Sequence, residues 1–302
     1  MVTAKAFAPC HITGFFQIFD EAANPLSIGS RGAGVSLEKG IWTQVTAEKS
    51  SDASVKIWIN DSPVSDAEVS LEVVRLFREK FPELSNFSIE VRHKIEMPIG
   101  AGFGTSGAGA LSLAAALNAA FGLGMTRLQV AQIAHVAEVN CRTGLGTVIA
   151  ETFGGVEIRV KPGAPGIGRL VQIPLSQDLE VVCLFFGALP TKRLLADQDL
   201  RRIVNAFGGK LVDELLQDPS IEKLMELSRK FAEFVGLMTP RIKEILKATD
   251  EAGILCSVPM FGDALFSIVD AQQVPQIVEI FRRFKNDGKI ILSKIDTKGV
   301  RG

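Results

Sequence analysis

Residues Pro98-Ile-Gly-Ala-Gly-Phe-Gly-Thr-Ser-Gly-Ala108 follow an alternating apolar segment, Phe87 to Ile95, and lead into an alanine-rich run that extends to Met125. Glycines at 100, 102, 104 and 107 permit a backbone course that side chains would obstruct, and let main-chain N–H groups come close to an anion. Thr105 and Ser106 place hydroxyls where the helix begins. The unpaired N–H groups and dipole of a helix start attract phosphate. The stretch is expected to cradle a polyphosphate.

Upstream, Ala4–Ala8, Ile12–Phe19, Ile41–Glu48 and Val55–Asn60 read as strands, and Asp66 is expected to cap an amphipathic helix with Val69, Val73, Val74, Leu76 and Phe77 on its buried stripe. Downstream, Thr126-Arg-Leu-Gln129 has the form of a capping box, and the helix it opens carries Glu138 near its end. A short helix then breaks at Gly154-Gly155 before the strand Val156–Val160. The turn-rich run Lys161-Pro-Gly-Ala-Pro-Gly166 marks the neighbourhood of a domain boundary. Beyond it come a buried strand, Leu179–Phe186, helices between Thr191 and Glu251, strands Ile254–Met260 and Ala264–Val269, a helix near Pro275–Phe284 stopping at Asn286-Asp-Gly288, and a strand Ile290–Ile295. The mixture predicts two α+β layers rather than a parallel doubly wound sheet.

A net charge of −1 and 22% charged residues give no footprint for nucleic acid. Cys10, Cys141, Cys183 and Cys256 are far apart, which excludes a zinc pattern and a disulfide framework and suits free thiols in a reducing, cytoplasmic setting. The weakly charged span Ala108–Met125 is built from small residues and interrupted by Ser112 and Asn118, so no membrane contact is expected.

Gly102-Phe-Gly104-Thr-Ser-Gly107 also fits the dinucleotide string GxGxxG. That reading needs a second strand soon after the helix, ending in an acid, whereas here another helix follows. No Lys-Ser/Thr follows the glycines, so Walker A chemistry fails, and the catalytic motifs of protein kinases are absent.

The loop resembles the phosphate-binding motif of the GHMP kinase superfamily, Pro-x-x-x-Gly-Leu-Gly-Ser-Ser-Ala. Pro9-Cys-His-Ile-Thr-Gly-Phe-Phe16 is similar to that superfamily's N-terminal motif, and Ser257-Val-Pro-Met-Phe-Gly262 to a reduced form of its C-terminal glycine motif. Asn24-Pro-Leu-Ser-Ile-Gly-Ser-Arg-Gly-Ala-Gly34, Arg142-Thr-Gly-Leu-Gly-Thr147 and Gly154-Gly-Val-Glu-Ile-Arg-Val-Lys-Pro-Gly163 narrow the likeness to the archaeal pantoate kinase family. The resemblance implies an α+β, GHMP kinase-like two-domain fold. Residues 1–176 would form a nucleotide-binding domain with a left-handed βαβ crossover, an exception to the usual hand, and residues 177–302 a ferredoxin-like domain. It also implies a phosphotransferase with an alcohol acceptor, moving phosphate from ATP to the 4-hydroxyl of pantoate for coenzyme A synthesis. A homodimer is the candidate assembly. A homoserine- or mevalonate-type kinase and a non-catalytic GHMP-fold binding protein are the alternatives.

The roles implied follow the motifs. Pro98, Gly100, Gly102, Gly104, Thr105, Ser106 and Gly107 would hold the ATP phosphates. Ser106 and Glu138 would hold Mg²⁺, which takes carboxylates together with phosphate oxygens. Ser30, Arg31, Arg159 and His11 are the candidates for pantoate, since arginine binds carboxylate in two-pronged fashion. Mevalonate- and galactokinase-type members carry a catalytic Asp where this chain has Thr147. Thr has no useful basicity at neutral pH, so the proton is expected to pass directly to a γ-phosphate oxygen, with Asp20 as the alternative acceptor. Cys10 is expected to be a small buried side chain.

Overall fold

A computed structural model describes residues 1–175, 178–188, 198–236, 238–260, 262–285 and 287–302. Its first layer is a seven-stranded sheet of β1 (Val2–Phe19), β2 (Gly29–Lys49), β3 (Val55–Ile59), β4 (Ser62–Val64), β5 (Phe87–Ile95), β6 (Val156–Lys161) and β7 (Arg169–Gln172). The hydrogen-bonded order is β4-β3-β5-β2-β6-β7, with β1 paired along β2. β3 and β5 run parallel, joined through α1 (Glu68–Lys80). One end of β2 pairs with β5 from Ile41 onward, and the other pairs with β6 from Gly32 to Val35.

The two strands expected at Ala4–Ala8 and Ile12–Phe19 are one strand, β1, whose register slips at Pro9/Cys10 and at Thr13/Phe15. Bulges keep pairing continuous while bending the strand and re-aiming its side chains. Asp66 is not a side-chain cap. Helix α1 starts after Ala67, the N-cap residue, without a side-chain cap bond, and the Asp66 carbonyl accepts from the Glu68 N–H.

Behind the sheet, α2 (Thr105–Phe121), α3 (Arg127–Cys141) and α4 (Thr147–Phe153) follow the glycine loop. The small residues Ala108, Ala110 and Ala114 are fully buried, so α2 lies close against β1 and β2. No helix among the described residues is long and apolar enough to cross a membrane. The capping box at Thr126 and Gln129 forms as expected.

Polar side chains also run under α2. Ser112 Oγ is 2.6 Å from Thr43 Oγ1, which is 2.7 Å from His93 Nδ1, and Ser70 Oγ is 3.0 Å from His93 Nε2. Burial pulls the His93 imidazole down to about 4, so it is neutral at pH 7. Between about pH 6.5 and pH 4 the unfolded chain binds a proton that the folded chain does not. Stability present above that window is lost as pH falls through it, by about 3 kcal/mol in all. Thermal unfolding followed from pH 7 to pH 4 is expected to show the decline, and His93→Gln to flatten it. An equally steep decline in the variant would assign it to other groups.

The second layer is a three-stranded antiparallel sheet, β10-β8-β9, formed by β8 (Leu179–Ala188), β9 (Gly262–Asp270) and β10 (Lys289–Lys294). It packs with α5 (Gln198–Gln217), α6 (Ile221–Val235), α7 (Pro240–Glu251) and α8 (Val274–Phe284). Alternation along β8 buries both faces. Val181 and Cys183 join the core shared with β1, α5 and α6, while Val182 and Leu184 join a second core under α7 and α8. The expected strand Ile254–Met260 does not form, and only Ser257 makes an isolated bridge, to Phe266. Pro259 has no N–H for a ladder, and the Met260 N–H is committed to Thr13 O at 3.3 Å. The boundary expected between 176 and 177, the start of the expected helical region at Thr191 and the Asn286 of the expected helix stop lie outside the described residues.

Candidate active site

The glycine loop leaves β5 and reaches α2 through left-handed turns at Gly100, Gly102 and Gly104, with φ of 73°, 78° and 64°. Gly104 is the residue that caps α2. The first intrahelical acceptor there is Gly104 O, taken by the Ala108 N–H. The amides of Thr105, Ser106 and Gly107 are therefore free of intrahelical partners. The loop is clamped from two sides. Phe103 O accepts from the His11 N–H at 3.1 Å, and a side chain at Gly102 would strike Met260 O. The three motif blocks around residues 9–16, 98–108 and 257–262 thus meet in space, although Phe261 of the last block lies outside the described residues.

A cavity of about 560 Å³ opens above this turn. The expected residues Gly100, Gly102, Gly104, Thr105, Ser106, Gly107, Glu138, Thr147, Ser30 and Arg159 all line it. Three expected contacts fall elsewhere. Pro98 is not among the lining residues. Arg31 points to the other face of β2 from Ser30, as strand alternation requires, and pairs with Asp213 at 2.5 Å and Gln17 at 3.4 Å. The His11 ring is buried, with Nε2 2.9 Å from Glu157 Oε1 and Nδ1 3.3 Å from Thr13 Oγ1. Asp20 is held by Arg201 at 2.5 Å and does not line the cavity. Burial raises the Cys10 thiol well above its usual value, which makes it a poor nucleophile.

Glu138 projects from α3 toward the start of α2 and is 2% exposed. Its Oε1 accepts from Ser106 Oγ and, at 2.6 Å, from Thr143 Oγ1. Burial pushes the carboxyl above its ordinary range, opposed by those two hydroxyls. Among the described residues Oε2 accepts no hydrogen bond, and it lies against Gly144, where any side chain would collide with it. A buried carboxylate oxygen left open beside a hydroxyl is a donor set for a hard cation. Ser106 and Glu138 thus fit Mg²⁺.

Arg159 is 1% exposed and donates to Glu157 Oε1 at 2.6 Å through Nη1, while its Nε has no partner. A side chain at Gly146 would strike Ser30 Oγ and come within 3.3 Å of that Nε. The glycine therefore leaves a slot in which a hydroxyl and an open guanidinium edge meet. Arg159 is the cation among the charged residues of the lining and Glu138 the anion.

The family model for the GHMP kinases N terminal domain matches residues 68–155, from α1 to the end of α4. A pantoate kinase of Thermococcus kodakarensis is 38% identical over 91% of this chain and 91% of its own length. The chain belongs to the pantoate kinase family of GHMP kinases. A Methanocaldococcus jannaschii pantoate kinase is 33% identical over 91% of this chain and 96% of its own. A solved structure described as a phosphotransferase related to the CoA biosynthesis pathway superposes with a TM-score of 0.89 at 33% identity, covering all of this chain and 98% of the other.

For a pantoate kinase-family member, sequence reasoning missed two kinds of site residue. Thr13, Phe16 and Met260 reach the cavity from β1 and from the segment before β9; they lie within the N-terminal and C-terminal motif blocks but were given no role of their own. Glu157 had a signal. It stands two residues before Arg159 on a strand, hence on the same face, and an acid and a base so spaced in an apolar strand are a buried pair. Glu151, fully buried on α4, had none.

Proposed function

We propose that the chain transfers the γ-phosphoryl group of ATP to the 4-hydroxyl of pantoate, giving 4-phosphopantoate and ADP. One observation carries this reading: the open Arg159 edge and Ser30 hydroxyl share a cavity with the free amides of Thr105–Gly107. A carboxylate fits the first and a polyphosphate the second. A hydroxy acid bound between them presents its hydroxyl to the terminal phosphate.

Phosphoryl transfer asks mainly for positioning and charge neutralisation. The loop amides hold the phosphate oxygens without a reorganisation cost, because three left-handed glycines already aim them. Ser106 and Glu138 are the residues that would hold Mg²⁺, whose contribution is to neutralise charge on the phosphates. Arg159 and Ser30 fix the acceptor by its carboxylate. Thr147, at the first turn of α4, has a buried hydroxyl with no partner, and in this reading it faces the acceptor's reacting end. Buried Glu157 keeps both Arg159 and His11 in place.

Purified protein with ATP and Mg²⁺ is expected to release ADP with pantoate, and at least about 100-fold less efficiently with homoserine or mevalonate, since a site built for one polar pattern leaves buried groups unpaired with another. Coupled ADP detection across these acids is the test. ADP release dependent on another acid but not on pantoate would overturn the substrate assignment.

A further inference from the structure

The Glu151 side chain is fully buried, and neither of its carboxylate oxygens has a hydrogen-bond partner. Such groups are rare in folded proteins and call for an account. Glu151 lies one helical turn beyond Thr147 on the same face of α4. A methyl group built on Gly107 would sit 2.6 Å from Thr147 Oγ1 and 2.6 Å from Glu151 Oε2. The two oxygens are therefore separated by at most twice that distance, a gap that one bridging water spans. Thr147 Oγ1 is buried and unpartnered as well, and Thr147 lines the cavity. On its other side Glu151 Oε1 faces Gly104, the capping residue of α2, whose Cβ position lies 2.5 Å away. Two open oxygen groups thus form a line from the cavity wall into the protein, ending beside the phosphate-binding turn.

We infer that Glu151 is the positioning residue behind Thr147 and the terminal acceptor of the proton released by the substrate alcohol. The inference rests on the kinase reading above. As the alcohol oxygen bonds to the γ-phosphorus and the bond from that phosphorus to the β-phosphate oxygen breaks, the alcohol proton moves to Thr147 Oγ1. The hydroxyl proton of Thr147 passes toward the Glu151 carboxylate, which becomes a neutral carboxylic acid. The products are the phosphomonoester and ADP, and the proton returns to solvent between turnovers. Thr147 cannot serve as the base by itself, because an alcohol does not hold a second proton near neutral pH.

The electrostatics of the position suit this role. Burial, and then the neighbouring carboxylates of Glu138 and Glu157, raise Glu151 well above the ordinary carboxylate range, with Arg159 pulling the other way. A carboxylate with raised proton affinity is a stronger acceptor than an exposed one.

Glu151→Gln keeps the size and removes the acceptor. It is expected to lower kcat about 100-fold or more while the KM values for ATP and pantoate move less than about threefold. Thr147→Val is expected to cost a similar factor, and the double variant little more than either alone, because the two act as one relay. Placing the acid at the cavity wall, as Thr147→Asp in the Glu151→Gln protein, is expected to restore at least about tenfold of the loss. Two outcomes overturn the inference. One is a wild-type kcat in Glu151→Gln, which would send the proton directly to a γ-phosphate oxygen. The other is a loss that Thr147→Asp does not relieve and that KM for ATP shares, which would make Glu151 a support of the loop. Neither touches the kinase reading, which fails only if the wild-type protein releases no ADP with pantoate. Circular dichroism and thermal unfolding of each variant separate misfolding from loss of the relay.

Discussion

Glu138→Gln is expected to lower kcat by about three orders of magnitude while the protein stays folded. Its Oε1 is occupied by the Ser106 and Thr143 hydroxyls, and an amide oxygen can accept both bonds, so the junction of α2 and α3 survives. The open Oε2 becomes an amide NH₂, which repels a cation. Loss of several kcal/mol of transition-state charge stabilisation corresponds to a factor of about 1,000. Burial raises the Glu138 carboxyl, so the neutral amide costs the fold little. Single-turnover rates, circular dichroism and the Mg²⁺ concentration for half-maximal rate are the readouts. A near-normal rate at ordinary Mg²⁺ would remove Glu138 from the metal site.

Arg159→Ala is expected to act on two levels at once. The guanidinium edge beside Ser30 is the proposed carboxylate anchor, so the KM for pantoate should rise by about 100-fold while the KM for ATP changes little. The same residue holds Glu157 at 2.6 Å in a site where both side chains are buried. Removing it leaves Glu157 with His11 as its remaining partner, and breaking a buried ion pair by removing one side costs about 3–5 kcal/mol. The melting temperature is therefore expected to fall along with the substrate affinity. Arg159→Lys separates the levels. It retains a charge near Glu157 and recovers most of the stability, but lacks the two-pronged edge, so the pantoate KM stays high. If ATP affinity fell selectively in both variants, Arg159 would belong to the nucleotide end of the cavity.

The legible parts of the site were those whose chemistry is local. A glycine-rich turn that opens a helix supplies free amides whatever surrounds it, and the run from Gly100 to Gly107 forms that turn. Thr126 and Gln129 cap α3 through contacts three residues apart, and α3 then carries Glu138 to the loop. Arg159 could be assigned to a strand face by alternation, though not to the cavity, because alternation gives two faces and no direction. Ser30 and Arg31 were indistinguishable as neighbours until β2 turned one inward and gave the other to Asp213.

Errors arose where a distant partner decided the outcome. Pro9-Cys10 read as a break between strands, yet β2 runs alongside and absorbs the irregularity as a bulge. The apolar run Ile254–Met260 has strand composition, but its segment is spent bracing the glycine loop through Met260. Asp66 has the chemistry of a cap without the backbone position for it.

From its residues alone, this chain determined a glycine turn that opens a helix and the capped helix that carries an acid toward it, because these depend on backbone conformations and spacings within a few positions. The tertiary structure decided which arginine meets the cavity, that the His11 ring is buried against Glu157, and that Glu151 stands unpartnered behind Thr147. Burial, charge pairing and the facing of side chains are properties of chains brought together, and no window of sequence contains both partners.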